Sequence, residues 1–237
     1  MTNVNFVFQH SQQATVETTM NSSISFMILI CLAPLFQDQW KNVYVESAWG
    51  ARDQWQKAEV LIKYLSIRAG SKIADIGCHE GYLTIKLSGS VGEMGTVYAV
   101  DVEKAKLDRL NANLEKRGIL NVTVVKGDND NPLLPLNSLD AVVILDAYHE
   151  MNEYVKMLQH IKASLKPGGR LVLCEPIAEE RRKLRRVDQK EKHELGMNFA
   201  LEDLRNAGFS IVKQQDPFVD RMKEKGDKMW VVVALKK

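Results

Sequence analysis
The chain has 237 residues, of which 45% are hydrophobic and 26% charged. That composition excludes a disordered or fibrous chain and suits one α/β domain with an extension. The formal charge of +2 gives no electrostatic footprint for nucleic acid, and Cys31, Cys78 and Cys174 form an odd set without a C-x-x-C pair, which argues against a disulfide framework or a zinc knuckle.

Residues 1–44 read as an extension, and residues 45–237 as the folded domain. The first 23 residues are polar and contain no Lys or Arg. Residues 24–36 are apolar apart from Ser25 and Pro34. This run is shorter than the roughly 20 residues of a spanning helix. Its length matches the apolar region of a signal peptide, yet no basic segment precedes it and no A-x-A site follows. Two readings stand: a signal or anchor that touches membrane, or a packed helix or tail. The first makes the protein exported or membrane-anchored, the second cytoplasmic.

From residue 48 the elements alternate. Apolar positions at helical spacing predict a helix over 48–65, and Lys72 to Ile76 form a first strand. A helix begins at Tyr82 and runs to 87, before a loop from Gly89 to Gly95. A second strand covers 96–100 and ends in Asp101. A charged helix over 104–117 stops at Gly118. A third strand covers 122–126, followed by a loop over 128–137 rich in Pro, Asn and Asp. Residues 141–145 are a fully apolar fourth strand, as buried parallel strands are. A helix over 150–165 is halted by Pro167-Gly168-Gly169, and a fifth strand covers 170–174. After a charged connection, a short helix over 201–206 closes at Gly208. Two strands, 209–213 and 229–235, then follow with no helix between them. Alternating strands and helices predict a parallel sheet, and the final pair predicts a hairpin with one antiparallel strand.

Ligands of such sheets bind beyond the carboxyl ends of the strands. After the first strand comes Asp75-Ile76-Gly77-Cys78-His79-Glu80-Gly81-Tyr82. Gly77 permits a tight turn, and Gly81 opens a helix whose terminal amides suit a carboxylate. Asp101, after the second strand, is placed to accept both hydroxyls of a ribose. Gly127-Asp128-Asn129, after the third, suits an adenine amino group. Each acidic residue also has a plainer reading, Asp101 as a helix cap and Asp128 as a turn former.

With these motifs in hand, the chain from about Trp55 to Lys237 resembles the class I S-adenosylmethionine-dependent methyltransferases. The matching pieces are the Asp75–Gly81 loop, Asp101, Gly127-Asp128, the Leu165-Lys166-Pro167-Gly168-Gly169-Arg170-Leu171 approach to the fifth strand and Asn206-Ala207-Gly208-Phe209. The resemblance implies an α/β, Rossmann-like, doubly wound, mostly parallel seven-stranded sheet with one antiparallel terminal strand. It implies S-adenosylmethionine as cofactor, and contacts from Asp75, Gly77, Cys78, His79, Gly81, Asp101, Val102, Gly127, Asp128, Asn129 and Asp146. One position departs from the family: His79 stands where a glycine is usual.

The fourth strand ends in Asp146-Ala147-Tyr148-His149-Glu150-Met151. It resembles the Tyr-His pair of a group of small bacterial methyltransferases, which often also carry Arg-Asp-x-Trp-Gln, here Arg52-Asp53-Gln54-Trp55-Gln56. Methyl transfer needs alignment of donor and acceptor, and a base where the acceptor is a hydroxyl or an ammonium. His149 is the expected base and Tyr148 its orienting or packing partner; the plainer reading is that His149 caps the next helix. No metal is expected, because His79, Asp146, His149, Glu150 and His193 lack a ligand spacing such as H-E-x-x-H. The charged connection over 177–198 is either a solvated face or a source of arginines for an anionic substrate. The expected function is methyl transfer to a small molecule, with no nucleic acid partner and the oligomeric state open. The alternatives are a nicotinamide-dependent oxidoreductase, whose G-x-G-x-x-G His79 interrupts, and a non-catalytic cofactor-binding module.

Overall fold
The apolar runs pair into a single seven-stranded sheet in the computed structural model, which describes residues 43–237. The apolar segment 24–36 lies outside the described residues. The strands are β1 (Lys72–Ile76), β2 (Thr96–Asp101), β3 (Val122–Lys126), β4 (Leu139–Leu145), β5 (Leu165–Ile177), β6 (Phe209–Arg221) and β7 (Asp227–Lys236). Their order is β3-β2-β1-β4-β5-β7-β6. β7 runs antiparallel to both β5 and β6, and the other pairings are parallel, as the hairpin and the resemblance implied.

Seven helices are described: α1 (Trp49–Asp53), α2 (Ala58–Leu65), α3 (Tyr82–Val91), α4 (Lys104–Lys116), α5 (Tyr154–Ser164), α6 (Arg186–Lys190) and α7 (Met197–Asn206). Alternate residues of each central strand face opposite layers. On one side Ile76, Val142, Ile144 and Leu173 meet Leu158 and Ile161 of α5 and Leu204 of α7. On the other, Ile73, Val143 and Val172 meet Leu61 and Leu65 of α2 and Leu83 and Leu87 of α3. Leu107, Leu110 and Leu114 of α4 cover Ala99 of β2. The sheet is therefore wound on both faces. Among the described residues no helix is long and apolar enough to cross a membrane.

Local boundaries differ from the sequence reading for identifiable reasons. The helix expected over 48–65 is broken at Lys57, which takes a left-handed backbone with φ +54°. Tertiary anchors set that break: Lys57 Nζ donates to the Phe218 carbonyl at 2.7 Å, and the buried Gln56 amide reaches Met229 Sδ at 3.4 Å. α3 runs past Gly89, because an exposed glycine weakens a helix without ending it, and Gly92 with φ +65° closes it. The helix expected from Glu150 begins at Tyr154, and residues Tyr148–Glu150 form a separate 3-10 turn. Pro167-Gly168-Gly169 lies within a bulge at the start of β5.

Candidate active site
The strand order reverses between β1 and β4, which opens a crevice beyond their carboxyl ends. Gly77, with φ +78°, brings the loop after β1 against the loop after β4: a Cβ on Gly77 would lie 2.4 Å from that of Ala147. The Gly77 and Cys78 amides donate to the Val100 carbonyl at 2.8 and 3.1 Å, tying this loop to β2. Gly81, with φ +100°, opens α3.

His79 has φ +51°, in the left-handed region that a glycine takes without strain. Its amide donates to Asp101 Oδ2 at 3.0 Å, and Asp101 Oδ1 accepts the Glu103 amide at 2.9 Å. A carboxylate has about four lone-pair sites, so both oxygens keep capacity for a ligand. The His79 ring lies 5.8 Å from that of Tyr44, and its buried Nδ1 has no hydrogen-bond partner among the described residues. Burial pushes this imidazole down to about 4, so it is neutral at physiological pH. Val102, Asp128 and Asn129 are exposed at the ends of β2 and β3. Asp75 and Cys78 face inward: Thr84 donates to Asp75 Oδ2 at 2.7 Å, and the Cys78 thiol is buried. Glycine loop, acidic residue and third-strand turn therefore follow one another along adjacent strands, and an unsatisfied imidazole nitrogen and a carboxylate with spare lone pairs among them fit an adenosine-bearing ligand.

At the end of β4, Asp146 has φ +57° and a buried carboxylate that is already engaged. Tyr44 donates to it at 2.7 Å and Arg221 Nη1 at 2.8 Å. Arg221 is almost fully buried and also grips Asp227. Burial opposes the charge of Asp146, but Arg221 outweighs that and holds the carboxyl well below its usual range. The Tyr44 hydroxyl also receives the ammonium of Lys225.

The two residues that follow Ala147 part company. Tyr148 is fully buried in the core beneath α5 and α7, and its hydroxyl donates to Asp203 at 2.9 Å. Its side chain packs there, at the start of the turn that carries His149. His149 points its Nδ1 at Glu175 Oε2, 2.5 Å away, and its Nε2 lies 3.2 Å from Glu150 Oε1. Glu150 meets His193 in turn. Glu175 also accepts the amides of Ala147, Tyr148 and His149, at 2.7, 2.8 and 3.3 Å, and so fixes the whole turn. Burial alone would lower the His149 imidazole; the charge of Glu175 and the hydrogen bonds that the ring donates to Glu150 and Glu175 outweigh it and push it up to about 10. This setting favours the protonated ring.

His149 borders a cleft of about 520 Å³ lined also by Glu150, Asn152, Tyr154, Arg186, Val187 and Lys190. The charged connection after β5 thus supplies one wall. Its arginines are internally paired: Arg181 with Glu194, Arg182 with Asp216, Arg185 with Asp188 and Arg186 with Asp203. Sequence reasoning missed Tyr44, Glu175, Arg221 and Asp227. A single carboxylate inside Leu-Val-Leu-Cys-Glu-Pro-Ile was the available signal for Glu175, since a buried charge demands partners.

A doubly wound sheet with one antiparallel terminal strand, carrying a glycine loop after β1 and an acidic residue after β2, defines the class I methyltransferase fold. A family profile described as a methyltransferase domain matches residues 67–226. The chain belongs to that family, the S-adenosylmethionine-dependent methyltransferases. It is 30% identical over 117 residues to a demethylmenaquinone methyltransferase of Geobacillus sp. (strain WCH70), covering 49% of this chain and 50% of the relative. It is 32% identical over 111 residues to a probable cobalt-precorrin-6B C(15)-methyltransferase of Saccharolobus solfataricus, covering 46% and 54%. The chain spans about half the length of the curated relatives it matches. The crystal structure of a SAM-dependent methyltransferase from Aquifex aeolicus shares the fold, with a TM-score of 0.69 at 24% identity over 83% of this chain and 96% of that one.

Proposed function
We propose that this chain transfers the methyl group of S-adenosylmethionine to a small-molecule acceptor that enters by the cleft beside His149. The observation that carries this reading is the Glu175–His149 pair, which fixes the imidazole at the edge of the cleft from the turn after β4, with Nε2 against Glu150. The donor, when bound, supplies a methyl group already activated by its sulfonium charge, so the chain's own task is to align and to exclude water. In this reading Gly77, Cys78, His79 and Gly81 line the methionine end, with Asp75 bracing the loop from below. Asp101 and Val102 hold the ribose, and Gly127, Asp128 and Asn129 border the adenine. Asp146 acts through Arg221 and Tyr44, which close the crevice over the reacting end.

His149 serves as a fixed donor of positive charge. The imidazolium sits between Glu175 and Glu150, so an acceptor that presents an oxygen anion, such as a phenolate or an enolate, meets Nε2 by taking the place of the exposed Glu150 carboxylate. The named substrates of the relatives, a demethylated menaquinone and a cobalt-precorrin, support a small organic acceptor. No specific observation favours the nicotinamide reading, and the family match speaks against it. Residues preceding Tyr44 stand, in this proposal, as an extension to the catalytic domain.

The test is calorimetric titration with S-adenosylhomocysteine, followed by a methyl-transfer screen across hydroxyaromatic, amine and thiol acceptors. Binding of S-adenosylhomocysteine is expected, with turnover on an acidic hydroxyl or activated carbon. His149→Gln is expected to lower turnover about ten- to a hundredfold while donor affinity holds. Failure to bind S-adenosylhomocysteine would sink the reading.

A further inference from the structure
Folding brings a third side chain to the turn after β4. His193 lies 43 residues beyond Glu150, and its Nδ1 stands 2.5 Å from Glu150 Oε1. His149 Nε2 stands 3.2 Å from the same carboxylate oxygen. The three groups have their ligand-type atoms within 4.8 Å of one another. The two imidazole rings are 5.9 Å apart and nearly perpendicular, at 81°. No spacing in the sequence announces this set, because its third member arrives from the charged connection after β5.

The backbone holds His193 in place. It follows α6, and its amide donates to the Lys190 carbonyl at 2.9 Å. Its φ is +55°, a left-handed conformation where glycine or asparagine is usual at a helix end. The residues after it are pinned: the buried Glu194 accepts the Ala178 amide and Arg181, and the Leu195 amide donates to the Pro176 carbonyl. An imidazole thus occupies a backbone position that disfavours it, and with 70% of the side chain exposed, packing does not account for it.

Glu175 completes the arrangement from behind. It takes His149 Nδ1 at 2.5 Å, which leaves Nε2 as the lone-pair nitrogen of a neutral ring, facing Glu150. Carboxylates orient the histidine ligands of metal ions in this way. Charge balances as well: a divalent cation would have Glu150 in front and Glu175 behind. The cationic side chains of the same cleft are engaged elsewhere, Arg186 with Asp203, and Lys190 with the Met151 carbonyl and Asn152. Asp146, His149 and Glu175 also lie within ligand reach of one another, but Asp146 holds Arg221 and Tyr44, and Glu175 holds three amides.

We propose that His149 Nε2, Glu150 and His193 Nδ1 bind one divalent cation of the zinc type at the edge of the cleft. Two imidazoles and a carboxylate suit zinc, whereas magnesium and calcium take oxygen ligands. Three protein ligands leave the fourth position of a tetrahedral ion open. His149 and Glu150 both line the cleft, so an acceptor oxygen has access to that position. The ion replaces the proton on Nε2, and an anionic acceptor then meets the ion instead of the ring. The cation site stands without the methyl-transfer reading; the acceptor's place on it rests on that reading.

The experiment titrates zinc into the chelator-stripped full chain by calorimetry, in unsubstituted protein, His193→Ala and Glu150→Gln, and repeats the titration with cobalt for its visible absorption. One equivalent of zinc is expected, with a tetrahedral cobalt spectrum. Both substituted side chains are more than half exposed, so circular dichroism is expected to stay unchanged. Each variant is expected to bind zinc at least about tenfold more weakly, since even a residue that only orients a ligand is worth that much. Excess magnesium is expected to leave the titration unaltered. Absence of zinc binding overturns the proposal. Undiminished binding in either variant overturns it too, by putting the ion elsewhere on the chain, and so does displacement by magnesium. S-adenosylhomocysteine is titrated in parallel. Zinc held at this site without affinity for S-adenosylhomocysteine would sink the methyl-transfer reading alone, and the reverse result would sink the cation site alone.

Discussion

At the scale of single residues, Tyr148 and Asp75 carry the sharpest expectations, because both side chains are buried and each has a named partner. Tyr148→Phe removes one hydrogen bond to Asp203, which keeps its bidentate pairing with Arg186. The expected cost is about 1 kcal/mol of stability in urea denaturation, with the affinity for S-adenosylhomocysteine unaltered. A large loss of donor affinity would place Tyr148 in the donor site. Asp75 concerns pH. Burial pushes its carboxyl up to about 6, above the unfolded value near 3.9. The folded state therefore holds the proton more tightly than the unfolded one. Stability falls as pH rises from about 4 to about 6, and the full penalty stands above that window. Asp75→Asn keeps an acceptor for Thr84 and removes the charge. It is expected to raise stability at pH 8 by up to about 3 kcal/mol relative to its effect at pH 4. Equal effects at both pH values would mean that Asp75 titrates as an ordinary carboxylate.

At the scale of elements, the turn Tyr148–Glu150 is organised from another strand. Glu175 of β5 accepts three successive amides of that loop and the imidazole of its His149. Glu175→Gln is expected to drop the His149 pKa from about 10 to its ordinary region near 6.5 or below, read by NMR titration of the ring protons. A His149 that still titrates above 9 in that variant would show that Glu175 is not the source of its basicity. The same turn marks the limit of what the sequence discloses. Alternating strands, the glycines at 77 and 81 and the acid at 101 were legible because each is dictated by backbone conformation or by strand polarity, both local. The predicted helix over 48–65 fails at Lys57 because a backbone carbonyl of β6 and a side chain of β7 hold that stretch, and local periodicity carries no record of them. Arg221 and Asp227 were illegible for a related reason. β6 reaches the crevice only after two register shifts against β7, and no residue pattern announces where such shifts fall.

At the scale of the whole folded unit, the crevice is closed by segments from its two extremes. Tyr44 comes from the stretch before β1, and Arg221 and Asp227 flank the turn of the terminal hairpin. We propose that the domain begins before Tyr44, which the sequence reading placed in the extension. A chain beginning at Lys41 retains the compact unit, whereas one beginning at Glu46 lacks Tyr44. Both are expected to fold, with matching circular dichroism, and the shorter is expected to bind S-adenosylhomocysteine about fivefold more weakly or worse, through loss of one hydrogen-bonded ring at the crevice. Equal affinities would leave Tyr44 as a passive cover. The pairing of Asp146 with the terminal hairpin has a consequence for biosynthesis. A domain made from its N-terminus onward assembles β1 to β4, with their glycine loop and acid, while the partner of Asp146 is still untranslated. During that interval Asp146 has the hydroxyl of Tyr44 within reach but not yet the charge of Arg221, which the terminal hairpin brings.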